Sequence, residues 1–309
     1  MRRAARPLAL ALALAAPPGL AQSPAASPPP FTVEVEVNVV SLTVVVHDKA
    51  GRFLHGLTPA DVTVLEDGVP QQVGYFREAT GGADKIPLSV VLVLDSSGSM
   101  RPNLGFLQQA ASSFIARMQE VDQALVVQFN ESVKGSAEFS GDTDRLDETV
   151  DGLQAWGGTS LYDAIHYALG RVKDQAGRKA VIVFSDGDDT TSSLREQEVI
   201  DYARAVEATV YAVGIQGAGP GGTPRGFLKR IAAETGGEHF FPDRVGELIK
   251  VFSAISEELH NHYALSYSPK RDPDGSWRAI TVTVKRADAQ VRVRKGYFAV
   301  RRRRPPVPR

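Results

Sequence analysis

Residues 88–100 read LSVVLVLDSSGSM, and this stretch decides the fold class. Its apolar run ends abruptly in a polar turn rich in serine and glycine. A run that is apolar at successive positions, and not only at alternate ones, is typical of a strand buried on both faces of a mostly parallel sheet. The sequence therefore predicts a strand at Ser89–Leu94, and similar runs predict three more at Ala124–Phe129, Lys179–Phe184 and Thr209–Ile215.

Amphipathic segments alternate with these apolar runs. Apolar residues recur at helical spacing in Phe106–Gln119, Leu161–Lys173 and Leu194–Glu207. Two further helices are predicted at Pro224–Thr235 and Val245–His260. Regular alternation of strands and helices over residues 86–260 predicts the α/β fold class, with a doubly wound, mostly parallel, Rossmann-like sheet.

Both flanks of this unit have the pattern of β-strands. Apolar and polar residues alternate in residues 31–80 and again in residues 261–300, which is the period of a half-buried strand. Asp67-Gly68, between two short apolar segments of Leu57–Phe76, indicates a hairpin. Neither flank has enough strands to close a core, so we expect them to pair into one small β-sandwich with the α/β domain inserted between them. Two separate appendages are the alternative.

Polar side chains follow the predicted strands at the edge where open α/β sheets bind their ligands. Asp95, Ser97 and Ser99 form a D-x-S-x-S pattern, Thr159 lies in the loop before a helix, and Asp186 follows a later strand. Their hydroxyl and carboxylate oxygens suit a hard cation such as Mg²⁺ or Ca²⁺. The D-x-S-x-S pattern alone is equally compatible with a phosphate-binding loop or a plain turn.

These three segments together resemble the metal-ion-dependent adhesion site (MIDAS) of the von Willebrand factor A (VWA) family. The phrases VLVLDSSGSM, GGTSLYDAI and VIVFSDGDD carry the resemblance, which covers roughly Pro87–Glu258. It implies a metal site at Asp95, Ser97, Ser99, Thr159 and Asp186. It also implies that the serines bind the ion directly, Thr159 directly or through water, and the two aspartates mainly through waters.

The same resemblance implies a function. An open position on the ion accepts a carboxylate from an Asp or Glu of a partner protein, so we expect protein–protein interaction or adhesion and no enzymatic activity. Mg²⁺ is the expected cofactor, with Mn²⁺ and Ca²⁺ as alternatives. The flanks resemble the exported bacterial VWA-related proteins first noted in Acidobacteria. A structural module of the cell envelope without metal dependence is the alternative function. A Mg²⁺-dependent hydrolase with Asp95 as nucleophile is a weaker one, since Ser97 stands where such enzymes have a second acid, and a serine hydrolase would need a G-x-S-x-G elbow that the chain lacks.

The two ends of the chain are predicted to lie outside the folded body. Residues 1–21 have the arginines, short apolar run and small residues of a cleaved signal peptide, which predicts an exported protein, periplasmic or extracellular, without an integral membrane segment after cleavage. Residues 22–30 are predicted to be a flexible lead-in and residues 301–309 a disordered basic tail.

Charge and composition exclude several classes of function. Without the three arginines of the first 21 residues and the five of the last nine, 27 basic residues face 36 acids, a net charge of −9 that disfavours nucleic acid as a partner. The absence of cysteine excludes thiolate metal sites and disulfides.

Several other polar residues are interpreted as structural. His260-x-His262 lacks a third metal ligand in the sequence, so packing or solvation is expected there. His166 is expected to be structural, Asp272 and Asp274 to form a hairpin turn, and Asp188 and Asp189 to be solvated loop acids.

Overall fold

The computed structural model describes residues 38–80, 86–186, 188–215 and 225–300. The predicted signal peptide, lead-in, basic tail and the first residues of the N-terminal strand pattern lie outside these ranges. The helices are α1 Leu104–Ile115, α2 Thr143–Asp151, α3 Leu161–Val172, α4 Glu196–Ala205, α5 Arg225–Thr235 and α6 Leu248–His260. The strands are β1 Val40–His47, β2 Val62–Glu66, β3 Val69–Gln71, β4 Val73–Thr80, β5 Leu88–Asp95, β6 Gln123–Phe129, β7 Val133–Gly135, β8 Arg178–Ser185, β9 Thr209–Gly214, β10 His239–Phe240, β11 Asn261–Tyr267, β12 Trp277–Val284, β13 Gln290–Arg292 and β14 Gly296–Phe298.

The central sheet has the strand order β10-β9-β8-β5-β6-β7, and only β7 runs antiparallel to its neighbour. Every residue of β5 is buried, because helices cover both faces of the sheet. Helices α1, α2 and α6 pack on one face, and α3, α4 and α5 pack on the other. This arrangement confirms the predicted α/β fold class, and it places the polar ends of β5 and β8 side by side.

Helix α2 and the short edge strands β7 and β10 were not among the predicted elements. Only Leu146 and Val150 of α2 are buried, so its apolar stripe is too thin for periodicity to reveal. Its start is stabilised by Asp142, whose side chain accepts hydrogen bonds from the backbone N–H groups of Asp144 and Arg145 at 3.1 and 3.2 Å.

The flanks form two four-stranded antiparallel sheets, with strand orders β13-β1-β11-β4 and β14-β12-β2-β3. Each sheet takes strands from both flanks, and the two share one apolar core that includes Val44, Val64, Tyr263 and Val282. The flanks therefore pair with each other as predicted, and the alternative of two separate appendages is wrong. Central strand β11 pairs with β1 from Val40 to Val44.

The hairpin predicted at Asp67-Gly68 joins β2 to β3. Both residues have positive φ, 47° and 79°, as a two-residue type I′ turn requires. Two boundaries differ from prediction. The segment Leu57–Phe76 contains β2, β3 and the start of β4 in place of two strands. The single strand predicted at Gln290–Val300 is two short strands, β13 and β14, which belong to different sheets.

Helix α6 passes into strand β11 without a loop, so the α/β unit and the flanking sheets are joined by one continuous segment. Asp122 lies at this junction. Its carboxylate accepts a hydrogen bond from the backbone N–H of Leu88 at 3.2 Å, and it lies 3.0 Å from Nε2 of His260. His262 is only 2% exposed, and neither of its ring nitrogens has a partner among the described residues. Both histidines thus have structural positions.

His262 should make the protein sensitive to acid. Burial is the main cause that lowers its pKa from 6.5 to about 2. Between these values the unfolded chain binds a proton that the folded chain does not, so stability is lost as the pH falls below 6.5. The free energy of unfolding should fall by about 1.4 kcal/mol for each pH unit in this range.

Urea unfolding of the wild type and of His262→Phe checks this expectation. Between about pH 7.5 and 5.5, the variant should lose about 1.4 kcal/mol less than the wild type. His166→Phe controls for the chemical change, since His166 stacks on Tyr202 in another part of the fold. Equal losses in the wild type and His262→Phe would contradict the assignment.

None of the helices in the described ranges combines the length and the apolar composition needed to cross a bilayer.

Candidate metal site at the carboxyl ends of β5 and β8

The D-x-S-x-S segment begins at the last residue of β5. Asp95 is fully buried, and its Oδ1 accepts a hydrogen bond from the backbone N–H of Ser97 at 2.8 Å. Its Oδ2 accepts a second from the hydroxyl of Ser185 at 2.6 Å. A short 3₁₀ turn, Gly98–Met100, follows and turns the chain into α1. Asp95 therefore stabilises the turn that contains Ser97 and Ser99.

Backbone hydrogen bonds bring the Thr159 loop against this turn. The N–H of Trp156 donates to the carbonyl of Ser96 at 2.9 Å, and the N–H of Gly98 donates to the carbonyl of Gly157 at 3.0 Å. Gly157 has a φ of +73°, a conformation that favours glycine. The carbonyl of Thr159 accepts in turn from the N–H of Thr190 at 2.8 Å, in the loop after β8. Three separate loops are thus held together by their backbones.

Side chains from two of these loops meet directly. The hydroxyl oxygens of Ser97 and Ser99 lie 3.0 Å apart, and the Ser99 hydroxyl donates to Oδ1 of Asp186 at 2.8 Å. Thr159 is buried beside them, but within the described ranges no side-chain hydrogen bond joins it to the other four. The structure therefore brings the five predicted residues to one edge of the sheet, with the Thr159 loop joined to the serine turn through the backbone of Gly157.

Burial dominates the electrostatics of the two aspartates. It raises the pKa of Asp95 to about 6, against hydrogen bonds from Ser185 and Ser97, and the nearby charge of Asp186 adds a smaller upward effect. Burial also raises the pKa of Asp186. Two carboxylates at this depth would be stabilised by a positive charge between the loops.

Asp186 offers a direct test of whether a cation fits. Its Oδ2 is buried and has no hydrogen-bond partner among the described residues. A buried carboxylate oxygen without a partner is costly, and a metal ion or its water would satisfy it. No group of three or more His, Asp or Glu side chains that could hold a metal was found in the described ranges. This finding is compatible with a site of two carboxylates and three hydroxyls, which is the donor set of a hard cation.

Two residues near the site were not anticipated correctly. Ser185 was not recognised as a partner of Asp95, although it is the last residue of β8 and precedes Asp186. Asp189 was expected to be solvated, but it accepts hydrogen bonds from the backbone N–H of Tyr162 at 3.0 Å and from the hydroxyl of Ser192. It therefore supports the first turn of α3. Asp188 is exposed, as expected.

The fold and the candidate site define a class: a doubly wound α/β domain with an oxygen-rich site at the carboxyl ends of its strands. The family model of the von Willebrand factor type A domain matches residues 89–253, which is more than half of the chain. The chain belongs to the VWA domain family. A search of curated proteins found no match.

Solved structures of VWA proteins resemble the chain in fold. The von Willebrand factor type A protein from Catenulispora acidiphila is 16% identical, with a TM-score of 0.52, and the match covers 78% of this chain and 73% of that one. Proximal thread matrix protein 1 from the mussel byssus, with a zinc-occupied MIDAS motif, is 16% identical, with a TM-score of 0.50 and coverage of 59% and 48%. The von Willebrand factor domain of the pilus tip protein Mfa5 from Porphyromonas gingivalis is 14% identical, with a TM-score of 0.49 and coverage of 57% and 96%. The chain thus matches about half of the mussel protein's length, and at these identities the likeness shows the fold alone.

Proposed function

We propose that this protein binds a divalent cation, Mg²⁺ before Mn²⁺ or Ca²⁺, and uses it to bind a partner protein. The proposed metal-binding residues are Asp95, Ser97, Ser99, Thr159 and Asp186. The observation that carries the proposal is the Ser97–Ser99–Asp186 contact, together with a buried oxygen of Asp186 that has no partner among the residues that the structure describes. The zinc-occupied MIDAS motif of the mussel protein supports a divalent cation in this fold.

The donor set explains why such an ion would attract a partner. Hydroxyl oxygens are neutral, so an ion held by Ser97, Ser99 and Thr159, with Asp95 and Asp186 behind them, keeps much of its positive charge. When bound, it supplies a Lewis-acidic position for a carboxylate from a partner's Asp or Glu. The neutral hydroxyls would hold the ion, and the two buried aspartates would offset its charge.

The surroundings of the serines favour binding over catalysis. A serine nucleophile needs a base within hydrogen-bond reach. Ser99 donates to Asp186, a carboxylate that we assign to the metal site, and in the described part of the chain no histidine contacts either serine hydroxyl. We therefore infer a non-enzymatic role. A structural module without metal dependence is the remaining alternative, and it predicts partner binding that EDTA leaves unchanged.

The wider organisation is part of the same proposal. Residues 1–21 would direct export to the periplasm or the outside of the cell, residues 86–260 would form the VWA domain, and residues 31–80 and 261–300 would form the sandwich that carries it. This layout is the one implied by the resemblance of the flanks to the exported Acidobacterial type of VWA-related protein.

Binding of Mn²⁺ tests the proposal, because this ion reports on its own water ligands. Water-proton relaxation should show saturable Mn²⁺ binding that Mg²⁺ competes away. Addition of glutarate, a simple dicarboxylate, should then lower the relaxation enhancement as a carboxylate displaces water from the ion. Ser99→Ala should weaken Mn²⁺ binding on the order of 10- to 100-fold, the scale expected when a group around a metal is lost.

Ser193→Ala is the matched control, since Ser193 is exposed and its hydroxyl has no part in the candidate site. It should bind Mn²⁺ as the wild type does. The proposed site is wrong if Ser99→Ala retains wild-type affinity. The proposed carboxylate bridge is wrong if glutarate leaves the relaxation of bound Mn²⁺ unchanged.

A further inference from the structure

An exposed tryptophan lies directly beside the candidate metal site. Trp156 is 43% exposed, although its backbone N–H is fixed to the carbonyl of Ser96 at 2.9 Å. No aromatic or cationic side chain packs on its ring within the described ranges. A large ring held at the rim of a site by its own backbone offers contact area at little cost in conformational entropy, and tryptophan is enriched where proteins bind partners.

An unpaired carboxylate lies against the residue that follows Trp156. Glu131, in the loop after β6, is exposed and has no ion-pair or hydrogen-bond partner among the described residues. Its side chain lies against Gly157, the residue after Trp156, since a β-carbon placed on Gly157 would be 3.0 Å from Oε2 of Glu131. The carbonyl of Gly157 accepts the hydrogen bond from Gly98, between the two serines of the site.

The loops around the site carry an excess of negative charge. Asp95, Glu131, Asp186, Asp188 and Asp189 lie at the end of β5 and in the loops that follow β6 and β8, and the loops after β5, β6 and β8 contain two basic residues, Arg101 and Arg195. The five acids and two arginines together have a net charge of −3, which a divalent cation would reduce to −1. A partner carboxylate would be attracted by the ion and repelled by the exposed acids around it. A basic side chain close to that carboxylate would offset the repulsion.

We propose that Trp156 and Glu131 form a subsite for a lysine or arginine of the partner, a few residues from the carboxylate that reaches the ion. The basic group would lie over the face of the indole and pair with the glutamate, whose side chain lies close enough to Gly157 to crowd a β-carbon there. This subsite rests on the proposed metal-dependent function and adds to it the charge pattern of the partner.

Paired synthetic peptides test the subsite on the full chain. Each peptide has one aspartate and either lysine or norleucine at one, two or three residues from it, and affinities are measured by titration calorimetry in Mg²⁺ and in EDTA. In Mg²⁺, the best lysine peptide should bind about five- to tenfold more tightly than its norleucine partner, from one cation–π contact and one exposed ion pair. This preference should weaken as the salt concentration rises.

Glu131→Gln and Trp156→Leu should each reduce the preference for lysine while the binding of norleucine peptides still requires Mg²⁺. Glu138→Gln is the matched control, because Glu138 is exposed and lies far from the subsite along β6. Glu138 is close to Ser140, which pairs with Ala124 near the start of β6, whereas Glu131 follows the end of that strand. Equal affinity for lysine and norleucine peptides in Mg²⁺ would overturn the subsite and leave the metal-dependent function standing. Equal binding of all peptides in Mg²⁺ and EDTA would overturn the metal-dependent function itself, and the subsite with it.

Discussion

Glu66→Ala should lower the free energy of unfolding by about 3–5 kcal/mol, because it would leave the charge of Arg278 buried without its main partner. Glu66 and Arg278 are each 1% exposed, and they are joined by a hydrogen bond of 3.2 Å in the core between the two flanking sheets. The other oxygen of Glu66 accepts hydrogen bonds from the hydroxyls of Tyr267 and Tyr297 at 2.9 and 2.8 Å. Arg271, which is half exposed, also donates to Glu66 at 3.3 Å. One substitution would therefore remove the acceptor of four side chains, of which Arg278 and Tyr267 are fully buried.

Urea denaturation monitored by far-ultraviolet circular dichroism measures this loss. The double variant Glu66→Met, Arg278→Met is the matched comparison, since replacing both members of a buried ion pair by apolar residues is often neutral or stabilising. We expect the double variant to be more stable than Glu66→Ala. A loss below about 1 kcal/mol in Glu66→Ala would mean that the backbone carbonyls around Arg278 satisfy its charge without the glutamate.

The two charged residues of this ion pair interrupt the alternating apolar patterns of their strands. Val62 and Val64 precede Glu66 on the inward phase of β2, and Ile280 and Val282 follow Arg278 on the inward phase of β12. Each strand thus has one charged residue where the pattern requires an apolar one, and the two charges are opposite. This signal could have been found in the sequence. The pairing of strands more than 200 residues apart could not be found from periodicity, because periodicity is a local property.

The central domain was predictable for a physical reason. Its parallel strands are covered on both faces, so each is a continuous apolar run, and the polar residues that end β5 and β8 must meet at one edge of the sheet. The contact between Ser99 and Asp186 follows from that rule. The hydrogen bond between Asp95 and Ser185 does not follow from it, because no sequence pattern distinguishes a serine at the end of a strand as a hydrogen-bond partner.

The short elements were not predicted, because they have too few residues to show a sequence pattern. The chain crosses from one flanking sheet to the other between β13 and β14, and each of these strands has only three residues. Three residues are too few to show a change of phase in an alternating pattern, so the segment resembled one strand. The thin apolar stripe of α2 has the same consequence. Long, doubly covered elements were thus predictable, whereas short edge elements depended on tertiary contacts.

Asp186→Asn should separate metal binding from folding more clearly than any other substitution at the site. One buried carboxylate oxygen of Asp186 has no partner within the described part of the chain, and burial raises the pKa of Asp186. Asparagine retains an acceptor for Ser99 and removes the charge, so the variant should be at least as stable as the wild type in EDTA. A loss of function that does not destabilise the fold is typical of residues selected for binding.

Thermal and urea unfolding in EDTA and in Mg²⁺ measure both effects. At a Mg²⁺ concentration about 100 times the dissociation constant, a ligand that binds only the folded state should stabilise the wild type by about 2.7 kcal/mol. Asp186→Asn should gain little, because it lacks the charge that draws the ion into the site. Asp188→Asn, two residues away on an exposed part of the loop, should gain as much as the wild type. If Mg²⁺ stabilised Asp186→Asn as strongly as the wild type, the ion would bind elsewhere. The unpartnered oxygen of Asp186 would then destabilise the fold without indicating a metal site.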